Sequence, residues 1–257
     1  MDKAAHQAEI LDQFTRQADP FLKRHAQGHD ALLALMAHCA ATRAEDRILD
    51  VACGPGIVSC FFAAHARHVT GLDMVPAMLE RARRLQAERC LQNVTWQLGE
   101  STRLPFLDES FDQVVTRFSF HHFLDPLAAL CEMKRVCRPA GTVLVSDVTP
   151  GKESQARFNE WETLRDPSHT RALTVAEFRS LGQEAGLNLG REEPFAMEMN
   201  LDDLLKGSFP KPGDDERIRA LFDNEIRTGS ETLGVIARRT EAGIVITYPV
   251  SVLAWTR

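Results

Sequence analysis

The sequence predicts an α/β fold in which a mostly parallel sheet carries helices on both faces. Between Ile48 and Val148, short β-rich runs alternate with amphipathic helical stretches, the arrangement that buries a parallel sheet between two helical layers. The first of those runs ends in a glycine-rich turn, Asp50-Val51-Ala52-Cys53-Gly54-Pro55-Gly56, of the kind that joins a strand to a helix. At 257 residues, the chain suits one large α/β domain over residues 1–257.

Each element follows from local pattern. Arg47 to Ala52 reads as the first strand, Ile57 to Ala66 as a helix, His68 to Asp73 as a second strand, and Pro76 to Cys90 as a second helix. That helix opens on Pro76, where a missing N–H is harmless, and lines Met78, Leu79, Ala82 and Leu85 along one face. Val94 to Leu98 and Phe111 to Thr116 give the third and fourth strands, Pro126 to Cys137 a helix, and Thr142 to Asp147 a fifth strand. Arg138-Pro139-Ala140-Gly141 reads as a turn, because Pro139 cannot continue a helix and Gly141 readily takes positive φ. Right-handed crossovers bring the carboxyl ends of these strands to one edge, where ligands bind in open α/β sheets. Outside this block, residues 1–46 read as two or three helices, and Thr174 to Ala185 as a helix opened by a Thr174/Glu177 capping box. Gly243 to Thr256 is β-rich, with Pro249 marking a bulge or an edge position. Lys211 to Asp215 is a polar turn.

Composition narrows the partners. With 44% apolar and 26% charged residues, the chain matches ordinary globular usage rather than disorder. A net charge of −6 offers no broad basic surface, so a small molecule is the expected partner and nucleic acid is not. The N-terminus lacks the basic-then-apolar layout of a secretory signal, and no apolar run nears the ~20 residues of a membrane span. The expected location is cytoplasmic, away from membranes. Six cysteines are scattered without a Cys-x-x-Cys pair, and His6, His25, His29, His38, His65 and His68 lack ligand spacing, so no metal is expected. A homodimer is compatible with the sequence, which leaves the oligomeric state open.

A glycine-rich turn between strand and helix lets backbone approach a ligand, while the helix N-terminus offers free N–H groups. Gly54 and Gly56 meet that need, although Gly-Pro-Gly alone is equally a sharp turn. The next strand ends in Gly71-Leu72-Asp73, whose carboxylate can accept hydrogen bonds from both hydroxyls of a ribose. An NAD-dependent oxidoreductase would use the same two features. Against it, the dinucleotide fingerprint wants Gly or Ala at position 59, where this chain has Ser59. Further signals follow in Gly99-Glu100-Ser101, Leu104-Pro105-Phe106 and Glu109-Ser110-Phe111-Asp112.

With these motifs the chain resembles the class I S-adenosylmethionine (SAM) dependent methyltransferases, in particular the ubiquinone/menaquinone-biosynthesis-like branch that acts on small molecules. The resemblance rests on the Asp50 to Gly56 turn, Gly71-Leu72-Asp73-Met74, Gly99-Glu100-Ser101 with Leu104-Pro105-Phe106, and Arg135-Val136-Cys137-Arg138-Pro139-Ala140-Gly141, in that order over residues 47–148. It implies a Rossmann-like seven-stranded sheet with the last strand antiparallel. Residues 1–46 become a helical lid, 47–148 the SAM-binding core, and 149–257 a small cap insertion with the final strands. The pocket would be roofed by the N-terminal helices and the 151–230 region.

The same resemblance implies that Asp50, Ala52, Gly54 and Gly56 hold the methionine part of SAM, Asp73 the ribose, Met74 the adenine face, and Glu100 and Ser101 the adenine edge. The chain departs from the commonest pattern in having Ala52 where Gly is usual and Glu100 where Asp is usual. Arg117-Phe118-Ser119-Phe120-His121-His122-Phe123 would lie beside the methyl group, with Arg117 touching the cofactor. Gln13 to Ala18 and Phe21 resemble the lid segment, although Phe14 and Phe21 serve equally as anchors of the first helix. A SAM-binding protein that does not methylate, such as a cyclase using the same pocket, is the other alternative, since fold does not fix function.

A sulfonium methyl is already activated, so transfer needs mainly an O, N or C acceptor held about 3–3.5 Å away. A general base adds about 10²–10⁴-fold, and histidine is the natural candidate. His121 and His122 follow the fourth strand at the ligand edge, with at most one expected to face inward and His122 preferred. In Arg165-Asp166-Pro167-Ser168-His169-Thr170-Arg171, the capping box explains the following Thr174 but not His169, which is expected in the substrate pocket. Asp147, ending the fifth strand, is the remaining candidate. The Asn/Asp-Pro-Pro-Tyr/Phe segment typical of methylating nucleobase amines or glutamine is absent after the fourth strand.

Overall fold

The computed structural model describes residues 2–25 and 30–257, with side chains described for 2–17 and 30–257. The expectations for the side chain of Phe21 and for His25 and His29 lie outside what is described. Among the described residues there are eight strands: β1 (Arg47–Val51), β2 (His68–Asp73), β3 (Val94–Leu98), β4 (Phe111–Arg117), β5 (Cys137–Val148), β6 (Asn188–Asn200), β7 (Ile236–Thr240) and β8 (Gly243–Thr256). They form one sheet in the order β3-β2-β1-β4-β5-β8-β6, with β7 paired to β8. The pairings from β3 through β5 are parallel, and β8 runs antiparallel to both β5 and β6. The expected seven strands are therefore joined by one more, β7, which pairs with β8 beyond the end of β5.

Burial explains why the central runs read as continuously apolar. Ile48, Leu49, Val114, Val115, Val143, Leu144 and Val145 are all 0% exposed, as strands covered on both faces must be. Helices α2 (Asp30–Ala40) and α3 (Ile57–Phe62) pack with Ile48, Val69, Val115 and Leu144 on one face. Helix α4 (Pro76–Glu88) joins them through Leu85. Helices α5 (Pro126–Val136) and α7 (Val175–Glu184) cover Leu49, Val51, Val114 and Val143 on the other. The capping box forms: Thr174 Oγ accepts from Glu177 N, and Glu177 Oε2 from Thr174 N at 2.8 Å.

One local expectation is corrected and another narrowed. Residues 138–141 form a bulge inside β5, the pairing jumping from Phe111↔Cys137 to Gln113↔Thr142. Ala140 takes the left-handed φ of 60°. Gly141 is needed for space, because a Cβ there would meet the Asp112 carbonyl at 2.6 Å and Cys137 Sγ at 2.7 Å. Pro249 marks no bulge but stands at a local edge of β8. Its carbonyl accepts from Thr149 N at 2.8 Å, so its nitrogen faces the same side, where β5 has ended and β7 has not begun.

Strands β6 and β8 overrun the carboxyl edge of the parallel strands. The β5–β8 ladder stops at Val148↔Val250, whereas β6–β8 continues to Asn200↔Val245. With α6 (Gln155–Arg165), α8 (Leu201–Lys206) and α9 (Asp214–Thr228), this overhang builds a wall above the ligand edge. An aromatic cluster locks it. Trp161 meets Phe222 at 5.2 Å between centroids, Phe158 meets Tyr248 at 6.1 Å, and Trp161 Nε1 donates to the Leu233 carbonyl at 2.9 Å. The expected roof is smaller than residues 1–46 and 151–230: α2 and α7 cover the sheet, while α1 (Lys3–His25), α6 and α8 reach the site. Among the described residues no helix is long and apolar enough to cross a membrane.

Candidate active site

A cavity of about 560 Å³ opens at the carboxyl edge. The turn after β1 shapes one end. Ala52, Gly54 and Gly56 take φ values of 54°, 52° and 84°, three left-handed steps that bring the turn's backbone to the cavity. Among the described residues nothing lies within 4 Å of a Cβ built on Gly54, which borders the cavity. Gly56 does not line it. A Cβ there would meet Trp96 at 2.6 Å and Ala82 Cβ at 2.9 Å, which makes Gly56 a packing glycine beneath the turn.

Asp50 is 1% exposed and borders the cavity. Its Oδ2 accepts from Ser59 Oγ at 2.5 Å, while Oδ1 is buried without a partner among the described residues. Burial pushes the carboxyl up to about 7, against the Ser59 hydrogen bond and the charge of Arg117. A buried acceptor without a donor costs free energy until one arrives, so this end suits a ligand bearing an ammonium group. Asp73 accepts from Gly54 N and Val75 N, each at 2.8 Å. These bonds fix its direction and leave a second lone pair on each oxygen. Burial pushes Asp73 up to about 6, against these backbone donors.

Met74 packs with Ile10 and Phe14 of α1, and Glu100 pairs with Lys3 at 3.3 Å. Ser101 and Arg117 also line this end. Burial pulls Arg117 down to about 10, with Asp50 opposing. Phe118, following it, has φ of 54°. Left-handed non-glycine residues after both β1 and β4 thus flank the cavity, and such strain persists where a site demands it.

Both His121 and His122 line the cavity, correcting the expectation that at most one faces inward. They sit on a 3₁₀ turn, Phe120–His122, with ring centroids 4.3 Å apart. His121 Nδ1 donates to Asp147 Oδ1 at 2.6 Å, and Asp147 is held by Phe120 N at 2.8 Å and Val148 N at 2.7 Å. Burial alone would lower the His121 pKa, but the charge and hydrogen bond of Asp147 raise it above the ordinary value. His122 Nδ1 donates to the Ser168 carbonyl at 3.0 Å. Burial, then His121, pulls His122 down to about 4. Asp147 and His169 are not in the cavity wall. Asp147 stands behind His121. His169 lies behind both rings, 5.5 and 6.4 Å away between centroids, with Nε2 donating to Asn159 Oδ1 at 2.7 Å. Burial drives His169 to about 2, so it is uncharged.

The far end joins Arg165, from the segment noted in the sequence, to residues that the sequence did not single out. Tyr248, the one tyrosine of the chain, donates to Glu162 Oε1 at 2.6 Å. Arg165 Nε and Nη2 donate to Glu162 Oε2 at 2.9 and 2.6 Å. Met197, Met199 and Leu204 add an apolar wall. Tyr248 could be placed only through the pairing Met197↔Tyr248. His6 and Gln17 carried a usable signal, since with Ile10 and Phe14 they recur at helical spacing on one face of α1.

Comparison with known proteins agrees with this architecture. The family described as Methyltransferase domain matches residues 49–145. The uncharacterized methyltransferase YcgJ of Bacillus subtilis (strain 168) is 34% identical over 172 residues, covering 65% of this chain and 67% of that protein. The ubiquinone/menaquinone biosynthesis C-methyltransferase UbiE of Ruegeria sp. (strain TM1040) is 38% identical over 108 residues, 41% of this chain and 43% of that protein. The crystal structure of YcgJ superposes with a TM-score of 0.80 at 25% identity, over 89% of this chain and 99% of that one.

Proposed function

Since the chain belongs to the class I SAM-dependent methyltransferases, we propose that it methylates a small-molecule acceptor at O, N or C, with His121 as general base. The observation that carries this reading is a single cavity with the Asp50 to Gly54 turn at one end and the carboxylate-backed His121 at the other. SAM supplies an electrophilic methyl group when bound. Asp50, through its unpartnered Oδ1, takes the ammonium of the methionine part, and the Ala52 and Gly54 backbone borders its carboxylate. Asp73 takes the ribose hydroxyls, Met74 the adenine face, and Glu100 with Ser101 the adenine edge. Arg117 balances charge beside Asp50.

At the acceptor end, His121 Nε2 removes the proton of the nucleophile, and Asp147 stabilises the imidazolium and holds the ring. His169 backs the pair from behind without touching substrate. Met197 and Met199 suit a ring-bearing acceptor, because thioethers pack well against aromatic edges. The UbiE relative's name points the same way. A soluble, cytoplasmic setting without a nucleic-acid or membrane partner fits a substrate of this kind. Titration calorimetry with SAM and S-adenosylhomocysteine tests the assignment. Both are expected to bind and NAD to give no heat, whereas no heat with either sulfur ligand, in folded protein, overturns it.

A further inference from the structure

Three residues of α1 converge on His122. His6 Nε2 donates to the His122 carbonyl at 2.7 Å, Phe14 meets the imidazole edge-on with centroids 5.0 Å apart, and Gln17 Nε2 donates to Asp166 Oδ2 at 3.2 Å. Asp166 Oδ1 accepts from Ser168 Oγ at 2.6 Å, and that hydroxyl lies 3.2 Å from His122 Nδ1. The ends of this chain of bonds fix its direction. Carboxylates and carbonyls only accept, so the Ser168 hydroxyl gives its proton to Asp166, and His122 Nδ1 must carry the hydrogen that reaches the Ser168 carbonyl. The other ring nitrogen, Nε2, is then a bare lone pair. His121 is set the same way, its Nδ1–H directed at Asp147. Neither Nε2 makes a hydrogen bond among the described residues, and both rings border the cavity.

We propose that His6, Phe14 and Gln17 are positioning residues that hold His122 with Nε2 bare toward the cavity, beside the bare Nε2 of neutral His121. The two together select an acceptor bringing two donor hydrogens, an amino group or two neighbouring hydroxyls. The proposal rests on the methyl transfer read above and names its acceptor class. One hydrogen passes from the nucleophile to His121 Nε2 as the new bond to the methyl carbon forms and the carbon–sulfur bond breaks, its electron pair staying on sulfur. The second hydrogen remains on the substrate, held by His122. Burial keeps His122 uncharged over the range in which His121 titrates. Glu162 and Asp166, against Arg165 alone, leave a carboxylate in excess among the buried groups at this end, which also favours a donor-rich partner.

Long-range ¹H–¹⁵N spectra of the histidines, recorded on the S-adenosylhomocysteine complex, test this. His122 is expected as the neutral Nδ1–H form, with its Nε2 signal moving on addition of catechol and not of 1,2-dimethoxybenzene, which has the same shape without donors. Gln17→Ala and Gln17→Met are expected to weaken the response of the His122 Nε2 signal to catechol, while the Nδ1–H tautomer, fixed by Asp166 and the Ser168 carbonyl, persists. A charged or Nε2–H His122 in the wild type overturns the positioning role. A signal that ignores catechol, or follows both probes equally, overturns the acceptor class. Failure of the wild type to bind S-adenosylhomocysteine would instead remove the methyl-transfer reading, so the two are separable.

Discussion

Ala52 occupies a left-handed position that glycine usually holds, at φ of 54°. An L side chain pays about 1–2 kcal/mol for that conformation, so Ala52→Gly should raise the unfolding free energy by about 1 kcal/mol in a urea titration. Asp50 and Asp73 carry the opposite kind of tension. Their carboxyls titrate near 7 and 6 in the folded chain against about 3.9 in an unfolded one, so the folded state binds protons more tightly. Free protein should therefore lose stability as pH rises from about 4 to 7. A cationic ligand reverses this by favouring the carboxylates. SAM affinity should rise between about pH 6 and 8, with proton release detectable as a dependence of binding heat on buffer ionisation. At His121 the shift is upward, and its base form is the neutral one. The rate of methyl transfer should climb with pH through a value above 6.5, and Asp147→Asn should move that limb to lower pH while lowering the plateau.

At the scale of elements, two glycines in the same region behave differently. A methyl group at Gly71 would meet Trp96 at 2.5 Å and Ser59 Oγ at 2.9 Å, so Gly71→Ala should cost about 1–3 kcal/mol through overpacking. Gly54→Ala meets no atom of the described residues within 4 Å and borders the cavity. It should leave a folded protein that no longer binds S-adenosylhomocysteine, a contrast that melting curves with and without ligand would display. The Asp50 to Gly56 turn, the strand and helix alternation and the Thr174 capping box were legible because each is written in contiguous residues. The bulge at 138–141 was not, since the ladder to β4 decides whether a Pro-Ala-Gly run precedes a strand or kinks it. Glu162 and Tyr248 were hidden for a related reason. One sits on a helix where acidic residues are usually solvated, and the other acquires its place only from pairing across β6 and β8.

Over the whole molecule, the proposed cofactor end is drawn from the stretch between β1 and β5, whereas the proposed acceptor end gathers α1, the Phe120–His122 turn, α6 and the β6–β8 overhang. Trp161 is where these distant parts meet, 0% exposed between Phe158, Phe222 and Tyr248. Trp161→Ala should lower stability by about 3–5 kcal/mol in chemical denaturation. If the protein survives, acceptor turnover should suffer more than S-adenosylhomocysteine binding, because Glu162 and Arg165 share the helix.

The overhang of β6 and β8 hangs from the sheet through the ladder between residues 142–148 and 250–256, and everything it contributes to the cavity lies outside that ladder. Such an arrangement behaves as an interchangeable part. Rewriting residues 195–248 while leaving the ladder untouched would alter which molecule is received without disturbing the turn after β1, so acceptor preference in this fold is free to diversify at a fixed cofactor chemistry.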